Sequence, residues 1–538
     1  MSTVYGCFVG LFVQTLIAAC LVLPGLFLVL VLWVMPATDR VPERLLEFLF
    51  FAFLVVLVVW PNYVALSLPG LPWITLIRLI GFPLASVLII CCFVSGKFRA
   101  TIRVPLTASP LITKLFIAFL VFQVLSVVFS KDPSESLNKL IIAQITWTAI
   151  FFSACYVFAK PGRATLWAAL MCLTALFVAL IGLREHSQGQ VLWAGHIPSF
   201  LKVGDEVVRR ILTPHFREYT GRYRTLSTFS TPLGFAEFLA LALPFVLHFA
   251  VEARRLVIRV AAILAIPFLI YVVLLTDSRL GMVGCLTALL FYGLIWSIRR
   301  WRSERKSIFG PAIALAYPLI IVGTVGLTFV SHRIHAVVWG GDATQQGSTD
   351  VRREQLTIAL PKIASRPWGY GMQMAAETVG YKTPGGILTL DSYYLTIALE
   401  YGVLGFIVFY GMFGTAIFAA GRVVLSRTEV DPEVGLLVPA GLALVNFFII
   451  KSVFSQDDNH PVAFMLLALV VILDWRSRGV VRASSSNGDS FCYLQSEHSR
   501  RIPSPSDMEA VIPRCCSLSP ILPERKPDYF AARRRIPN

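Results

Sequence analysis

Long apolar runs recur along most of the chain between Cys7 and Trp475, and each is closed by a short polar or Pro/Gly-containing connection. An α-helix needs about 20 apolar residues to cross the ~30 Å hydrocarbon core of a bilayer. Of the 538 residues, 56% are hydrophobic and only 14% are charged, a more apolar balance than a water-soluble domain needs for its core. The sequence therefore predicts an all-α, polytopic membrane helical bundle with about 12–13 transmembrane helices.

Three other sequence features limit the class of protein. The first apolar run, Cys7 to Met35, is too long for a signal-peptide core and lacks a basic segment before it, so we interpret it as an anchor. The ten cysteines lie mostly in apolar runs or near the C-terminus, which favours neither a disulfide framework nor a zinc site. The net charge of +16 is interpreted as setting membrane orientation and contacting anionic lipid, so no nucleic-acid partner is predicted.

Connections rich in Lys and Arg alternate with connections that contain few of them. Basic loops are retained in the cytoplasm, so this alternation predicts the orientation, with the N-terminus outside and the C-terminus cytoplasmic. The basic residues placed inside are Lys97, Arg99, Arg103, Lys160, Arg163, Arg254, Arg255, Arg259, the run from Arg299 to Lys306, Arg422 and Arg427. The connections placed outside are residues 61–71, 130–138, 183–232, 276–281, 331–390 and 455–460.

The chain divides into three predicted parts. Residues 1–110 form N-terminal transmembrane helices, and residues 111–475 form a membrane domain with long outward loops at about 183–232 and 331–390. Residues 476–538 are rich in Ser, Pro and Arg, lack apolar periodicity, and are predicted to be a disordered cytoplasmic tail. No internal repeat or matched pair of interrupted helices, which would be typical of a secondary transporter, is visible.

Four charged residues lie inside apolar runs, where a charge is costly and usually functional. These residues are Arg78, Glu237, Glu400 and Lys451. Together they favour a polar site that faces outward. The alternative is that Arg78 and Lys451 extend to the outer interface while the two glutamates pair within the bundle.

The two long outward loops carry arginines, a residue that outward loops usually lack. A planar guanidinium can donate two hydrogen bonds to a phosphate, so these loops are candidates for holding a lipid-linked diphosphate. Contact with lipid headgroups is the alternative. The arginines are Arg209, Arg210, Arg217, Arg222 and Arg224 in the first loop, and Arg333, Arg352, Arg353 and Arg366 in the second.

Part of the second loop has a helical pattern. Between Val351 and Ser365, Leu356, Leu360 and Ile363 recur at helical spacing, which predicts an amphipathic helix that lies at the membrane interface. Pro361 is expected to kink this helix. The PWGYG sequence that follows, at residues 367–371, predicts an irregular turn before the next spanning helix.

Four stretches in order give the chain a resemblance to a known family. They are GRYRTLSTFSTPLGFAEFLALALP from Gly221, TDSRLG from Thr276, RREQLTIALPKIASRPWGYG from Arg352 and LDSYYLTIALEYGVLGF from Leu390. With these stretches at outer helix ends, the chain resembles the O-antigen ligase and Wzy-type polysaccharide polymerase superfamily of bacterial membrane glycosyltransferases. The resemblance covers roughly residues 111–475.

This resemblance implies a metal-independent, inverting transfer of a glycan from an undecaprenyl diphosphate carrier to an acceptor hydroxyl at the periplasmic face, without a cofactor. Arg224 and Arg279 match the family's diphosphate-binding arginines, and Arg222, Arg352 and Arg353 are further candidates. Cations there would stabilise the charge that develops on the departing diphosphate. For Arg279, the alternative is an interface anchor beside a helix cap at Asp277 or Ser278.

The resemblance also points to a general base that takes the proton of the acceptor hydroxyl. Ligases of the superfamily typically place His and Asn where this chain has Asp391 and Ser392, so the sequence is more similar to polymerase members. Asp391 is therefore the first candidate base, with Glu377 and His460 in reserve. The alternative role of Asp391 is to cap the next helix. We expect four further residues to have a structural role where the spanning helices begin: Ser392, Tyr394, Glu400 and Glu237.

The segment SQDDNHP, from Ser455 to Pro461, clusters Asp457, Asp458 and His460, ligand types that fit a divalent cation. Adjacent carboxylates are more typical of a solvated turn, so no required metal is predicted. The predicted function is polymerisation of exopolysaccharide or O-antigen repeat units. The alternatives are an O-antigen ligase that uses the lipid A core, a lipid-linked glycan transporter or flippase, and a non-catalytic scaffold.

The resemblance implies a location and a set of partners. The location is the bacterial inner membrane. The partners are an undecaprenyl diphosphate-linked oligosaccharide, an acceptor glycan, membrane lipid and other polysaccharide assembly proteins.

Overall fold

The computed structural model describes residues 38, 40–67, 73–214, 216, 221–303, 308–330, 343–383, 386, 388–424 and 431–486. Within these ranges, eleven helices are long and apolar enough to cross a membrane. The prediction of a polytopic helical bundle is confirmed. The predicted anchor at Cys7 to Met35 lies outside the described ranges.

The helices are numbered in chain order. They are α1 (Glu43–Val59), α2 (Leu76–Val94), α3 (Gly96–Ala108), α4 (Pro110–Val128), α5 (Pro133–Ala159), α6 (Arg163–Gln188), α7 (Glu206–Leu212), α8 (Pro232–Glu252), α9 (Leu256–Leu275), α10 (Arg279–Ser303), α11 (Phe309–Val330), α12 (Ala343–Ser365), α13 (Ala375–Val379), α14 (Tyr393–Val424), α15 (Leu437–Lys451) and α16 (His460–Ser486). Within α5, residues Gln144–Thr148 form a π-helical segment. Short 3₁₀ helices lie at Ser199–Leu201 and Pro432–Leu436, and strands β1 (Ala65–Leu66) and β2 (Ile74–Thr75) pair antiparallel.

Several spanning helices begin where a short polar side chain precedes a proline or an apolar run. Asp132 accepts hydrogen bonds from the N–H groups of Ser134 and Glu135 at the start of α5. Thr231 accepts one from Gly234 N–H at the start of α8. These side chains satisfy N–H groups that have no partner within the helix, which fixes where each helix enters the membrane.

The centre of the bundle is formed by α8 and α16, in which 89% of the most apolar stretch is buried. The corresponding fraction is 28% for α9, which therefore exposes most of its surface to the surroundings. Lipid is as apolar as leucine, so close packing rather than water exclusion holds the helices together. At the α8–α10 contact, a Cβ added to Gly281 would lie 2.8 Å from Ala236 Cβ, so the two helices approach as closely as small residues permit.

The helix connections gather at two ends of the bundle. At the end that we call the loop end, the α4–α5 connection contacts the second long loop, where Arg366 donates to Phe129 O at 2.6 Å and Lys131 N–H donates to Tyr370 O at 3.3 Å. At the opposite end, called the basic end, Lys160 pairs with Glu43 at 3.0 Å. The basic connections and the long loops therefore separate as predicted; which end faces the cytoplasm stays a prediction.

A helix is present where one was predicted at residues 351–365: it is part of α12, which begins earlier, at Ala343, and continues through Pro361 to Ser365, and its place at the membrane interface stays a prediction. Gln355 and Ala359 are buried against neighbouring elements, whereas Leu356 and Leu360 are exposed. One face of α12 therefore packs on the protein, and the leucine face is turned away from it.

The PWGYG turn is inserted into a break in α14. The helix is interrupted at Gly402, whose φ of 74° and ψ of 179° are not helical. Three hydrogen bonds join the two elements: Tyr370 N–H to Leu399 O at 2.7 Å, Gly371 N–H to Glu400 O at 3.2 Å, and Val403 N–H to Pro367 O at 2.9 Å. A Cβ on Gly369 would lie 2.5 Å from Glu400 O, so only glycine allows this approach.

The last helix, α16, runs past Trp475 to Ser486, so the first residues of the segment that the sequence places in the tail are helical. Residues 487–538 lie outside the described ranges, and the predicted disorder there stays a prediction.

Candidate functional site

The segments that carry Arg224 and Arg279 meet at the loop end. Thr225 N–H donates to Leu275 O, and Arg224 Nε donates to Thr276 O, both at 3.2 Å. Arg279 is the first residue of α10, and Ser278 caps that helix by accepting from Gly281 N–H at 3.2 Å. The two half-buried arginines therefore lie on adjoining turns. Of the two cap residues considered for α10, Asp277 and Ser278, it is Ser278 that caps the helix.

Glu185, which the sequence reasoning did not select, fixes the segment of Arg224. Its buried carboxylate accepts from Tyr223 O–H at 2.8 Å, from Leu226 N–H at 3.0 Å and from Ser227 N–H at 2.7 Å. Ser227 has a positive φ of 54° that this carboxylate helps to hold. Glu185 lies in the polar sequence REHS, directly after an apolar run. A glutamate at that position is typical of the solvated end of a helix, so no local signal distinguishes it as a buried residue.

A second strained turn precedes Arg279, because Asp277 has a φ of 52°. Non-glycine residues rarely adopt this conformation, and such residues cluster where function requires a particular geometry. Among the described residues, the three with positive φ that are not glycine are Ser227, Asp277 and Gln373, and all three lie at the loop end. This end of the bundle therefore carries more backbone strain than the basic end.

Glu237 and Lys451 form an ion pair inside the bundle. Lys451 Nζ lies 3.0 Å from Glu237 Oε1, and neither side chain is accessible to solvent. Asn459 Nδ2 donates to Glu237 Oε2 at 2.9 Å. Lys451 therefore does not extend to the interface, the alternative considered for it, because burying either charge alone would be far more costly than burying the pair.

The other two charges inside apolar runs have separate environments. Arg78 is half-buried in the first turn of α2 and donates from Nη1 to Trp73 O at 2.8 Å. Glu400 lies beside the break in α14, where its Oε1 accepts from Gln373 N–H at 2.9 Å. Glu400 thus contributes to the junction between the PWGYG turn and the broken helix.

The α15–α16 connection carries Asp457 and Asp458. Lys139 Nζ lies 2.6 Å from Asp457 Oδ2, and although burial opposes ionisation, this lysine contributes to holding the pKa of Asp457 below its usual range. Asp458 accepts from Ser230 Oγ at 2.5 Å and from Asn62 Nδ2 at 3.3 Å. Burial raises the pKa of Asp458, an effect that the Ser230 hydrogen bond partly opposes.

These contacts engage both carboxylates with protein donors. Within the residues that the structure describes, no three His, Cys, Asp or Glu side chains are grouped so that they could hold a metal ion. The expectation that no metal is required stays a prediction.

His460 is the first residue of α16 and is fully buried, not part of a solvated loop. Its ring lies 5.2 Å from that of Trp147 and 4.5 Å from that of Tyr393. Trp147 belongs to the π-helical segment of α5, a type of distortion that often occurs at functional sites. Neither ring nitrogen of His460 has a hydrogen-bond partner in the described structure.

Asp391 directly precedes α14, as expected, and lies beside α12. Arg352 Nε lies 3.8 Å from Asp391 Oδ2, beyond hydrogen-bond distance, and that Nε has no hydrogen-bond partner in the described parts of the chain. Asp391 N–H donates to Gln355 Oε1 at 3.0 Å. Burial raises the pKa of Asp391, and the Arg352 charge opposes part of the increase.

The capping role considered for Asp391 does not appear. No hydrogen bond joins its carboxylate to the first N–H groups of α14 among the residues described, and its ionic contact is with Arg352. The carboxylate therefore remains available to a bound hydroxyl group.

The remaining candidates occupy the same end of the bundle in different environments. Glu377 in α13 is exposed, as are Arg222 and Arg353. Tyr394 O–H donates to Phe448 O at 2.8 Å, which ties the start of α14 to α15. The C=O of Ser392 accepts from Thr396 N–H at 3.1 Å as α14 begins. These contacts lie at the start of α14, and the role of Tyr394 and Ser392 in supporting the helix entry stays a prediction.

Residues 262–410 match the family model of the O-antigen ligase, Wzy_C. This range contains Arg279, Arg352, Glu377 and Asp391, whereas Arg224 and His460 lie outside it. The resemblance inferred from the sequence is confirmed over this narrower range. A search of curated proteins found no match.

Proposed function

We propose that the protein polymerises exopolysaccharide or O-antigen repeat units by transferring a glycan from an undecaprenyl diphosphate carrier to an acceptor hydroxyl at the periplasmic face. The observation that carries this proposal is the similarity of residues 262–410 to the O-antigen ligase family. Two contacts at the loop end support it: Arg224 is hydrogen-bonded to the turn before Arg279, and Arg352 lies 3.8 Å from the candidate base Asp391.

Arg224 and Arg279 are the proposed ligands of the diphosphate. When the bond between the anomeric carbon and the diphosphate breaks, the electron pair leaves with the diphosphate, and its negative charge grows. Guanidinium groups that are already positioned stabilise that charge more in the transition state than in the ground state. The contact of Arg224 with Thr276 O supports this role, since it ties one arginine to the turn that precedes the other.

Asp391 is the proposed base. The acceptor oxygen attacks the anomeric carbon, and its proton passes to the Asp391 carboxylate as the new C–O bond forms. Burial that raises the pKa of this carboxylate makes it a stronger base than an exposed aspartate. Arg352 supports the ionised form and is a further candidate for the diphosphate.

A ligase is the second candidate function, favoured by the description of the matching family itself. A ligase transfers the glycan to the lipid A core, whereas a polymerase transfers it to another lipid-linked glycan. The Asp391–Ser392 pair at the start of α14 favours the polymerase.

Purified protein supplied with each acceptor distinguishes these functions. With the lipid-linked oligosaccharide alone, a polymerase produces a ladder of longer lipid-linked glycans. A ligase gives product only when the lipid A core is added. Protein that moves the lipid-linked sugar across a liposome membrane without giving either product would contradict both transferase functions and favour a transporter.

Asp391→Asn tests the base separately. Asparagine is nearly isosteric with aspartate, but its amide cannot accept the proton of the acceptor hydroxyl. The rate of glycan transfer is therefore expected to fall by about 10²–10⁴-fold. A variant that remains folded and fully active would exclude Asp391 as the base and leave Glu377 and His460 to be tested in the same way.

A further inference from the structure

A cavity of about 540 Å³ opens at the basic end, far along the bundle from the candidate glycan site. It lies between the end of α8, the start of α9, the end of α10 and the 3₁₀ helix Pro432–Leu436. Arg254, Arg255 and Arg299 line it. None of these residues has a role in the proposed transfer reaction.

The charge in this cavity is positive. Its two acidic lining residues are Glu252 and Asp431, and Asp431 Oδ2 is already engaged by Arg476 Nη2 at 2.6 Å. Arg254 and Arg255 form no ion pair within the described chain. Two consecutive arginines that line a cavity are suited to a phosphate, which can accept several of their N–H groups at once.

Backbone and side-chain donors are available at the same place. Arg255 immediately precedes α9, and no side chain caps that helix, so its first N–H groups and the positive end of its dipole meet the cavity rim. His248, which is 7% exposed, also lines the cavity, and its Nδ1 lies 3.4 Å from the Tyr292 hydroxyl in a hydrogen bond whose donor depends on the tautomer of the ring.

The opposite wall of the cavity is rigid. Glu433 accepts from Gly162 N–H at 3.0 Å, from Thr165 N–H at 2.9 Å and from Arg476 Nη1 at 2.8 Å. Thr165 and the start of the 3₁₀ helix both line the cavity, so these bonds hold its shape. A preformed cavity loses less entropy when it binds a ligand.

The surface of α9 indicates what the remainder of a phosphate-containing ligand would contact. Leu256, Val257 and Leu264 are 71%, 80% and 67% exposed, and they extend from the cavity rim along a helix that spans the membrane. An acyl chain can follow this apolar surface while a phosphate occupies the arginine-lined cavity. This continuity favours a lipid over a soluble phosphate.

We propose that the cavity binds the phosphate of an anionic phospholipid from the leaflet at the basic end. The site is independent of the transferase proposal. The bound lipid would fix the depth of α8, α9 and α10 in the membrane, because it contacts all three helices.

Lipid titration of the full-length protein in detergent tests this site. Phosphatidylglycerol, phosphatidylcholine and inorganic phosphate are added separately, and binding is measured by native mass spectrometry and by the midpoint of thermal unfolding. We expect phosphatidylglycerol to bind and stabilise the protein, and Arg254→Gln/Arg255→Gln to weaken its binding about 25-fold, on the basis of about a fivefold effect for each arginine near a membrane.

The matched control is Arg44→Gln/Arg103→Gln, which removes two exposed arginines from the same end but outside the cavity. This control is expected to retain wild-type affinity. Equal weakening in both double variants would overturn the site, because binding would then depend on overall charge. Equal binding of phosphatidylcholine would also overturn it, and stabilisation by inorganic phosphate alone at the same concentration would overturn the lipid assignment.

Discussion

Glu433 at the basic end and His460 at the loop end are both buried side chains, but they differ in how fully their polar atoms are satisfied. At the basic end, Glu433 accepts four hydrogen bonds, from Gly162, from Thr165 twice and from Arg476. At the loop end, His460 has two unpartnered ring nitrogens in the described structure, and Arg352 Nε has no acceptor there. Fully satisfied groups act as structural ties, whereas buried groups that lack partners point to a site that a ligand completes.

The ion pair between Glu237 and Lys451 is the exception at the loop end, because it behaves as a structural tie. Lys451→Met leaves the Glu237 carboxylate buried without its partner, so we expect the free energy of unfolding to fall by about 3–5 kcal/mol. Thermal unfolding in detergent measures this loss. The double variant Glu237→Gln/Lys451→Met is expected to recover most of it, and a fully stable Lys451→Met single variant would show that the pair is not structural.

Arg279→Gln is expected to lower glycan transfer by about 10²–10³-fold while the thermal unfolding midpoint stays near that of the wild type. The physical reason is that Arg279 is proposed to act on charge that appears only during the reaction. Initial rates of glycan transfer with the lipid-linked donor provide the measurement. Arg103→Gln, an arginine change at the basic end, serves as the control and should leave the rate unchanged; an active Arg279→Gln would remove this arginine from the diphosphate site.

Glu433→Gln should show the opposite pattern from Arg279→Gln. The amide loses the charge-assisted hydrogen bond from Arg476, so we expect a loss of about 1–3 kcal/mol in the free energy of unfolding. Transfer activity per folded molecule should not change. A selective loss of activity without a loss of stability would contradict the division between the two ends.

Arg352→Gln is expected to have the smallest effect, on the pH dependence of transfer. A base is active when deprotonated, so activity falls as the pH drops through the pKa of Asp391. Removing the arginine removes an effect that lowers this pKa, so the acidic limb should move to higher pH, and the shift should be small because the pair is partly exposed. Rates measured from pH 4 to 8 would test this, and a shift to lower pH would contradict the proposed contact.

The sequence predicted the features that depend on local patterns. Apolar runs predicted the spanning helices, and the spacing of Leu356, Leu360 and Ile363 predicted α12. The short polar residues before Arg279 and Tyr393 marked the starts of α10 and α14. These signals are local because helix formation and capping involve residues within a few positions of one another.

Features that depend on distant residues were not visible in the sequence. Glu237 and Lys451 pair across 214 positions, and Glu185 binds the backbone of residues about 40 positions later. The π-helical segment that carries Trp147 has no local signature either. A single sequence shows that such charges are present but not which partners neutralise them.

The insertion of the PWGYG turn into α14 determines which parts of the chain can be exchanged between relatives. The break at Gly402 leaves the carbonyls of Leu399 and Glu400 and the N–H of Val403 without partners inside α14, and residues 367–371 satisfy them. A chimera that takes its second loop from one protein and α14 from another would leave these groups unpaired. Recombination boundaries should therefore keep the turn and the helix together, from Pro367 at least to Val403, as one inherited module.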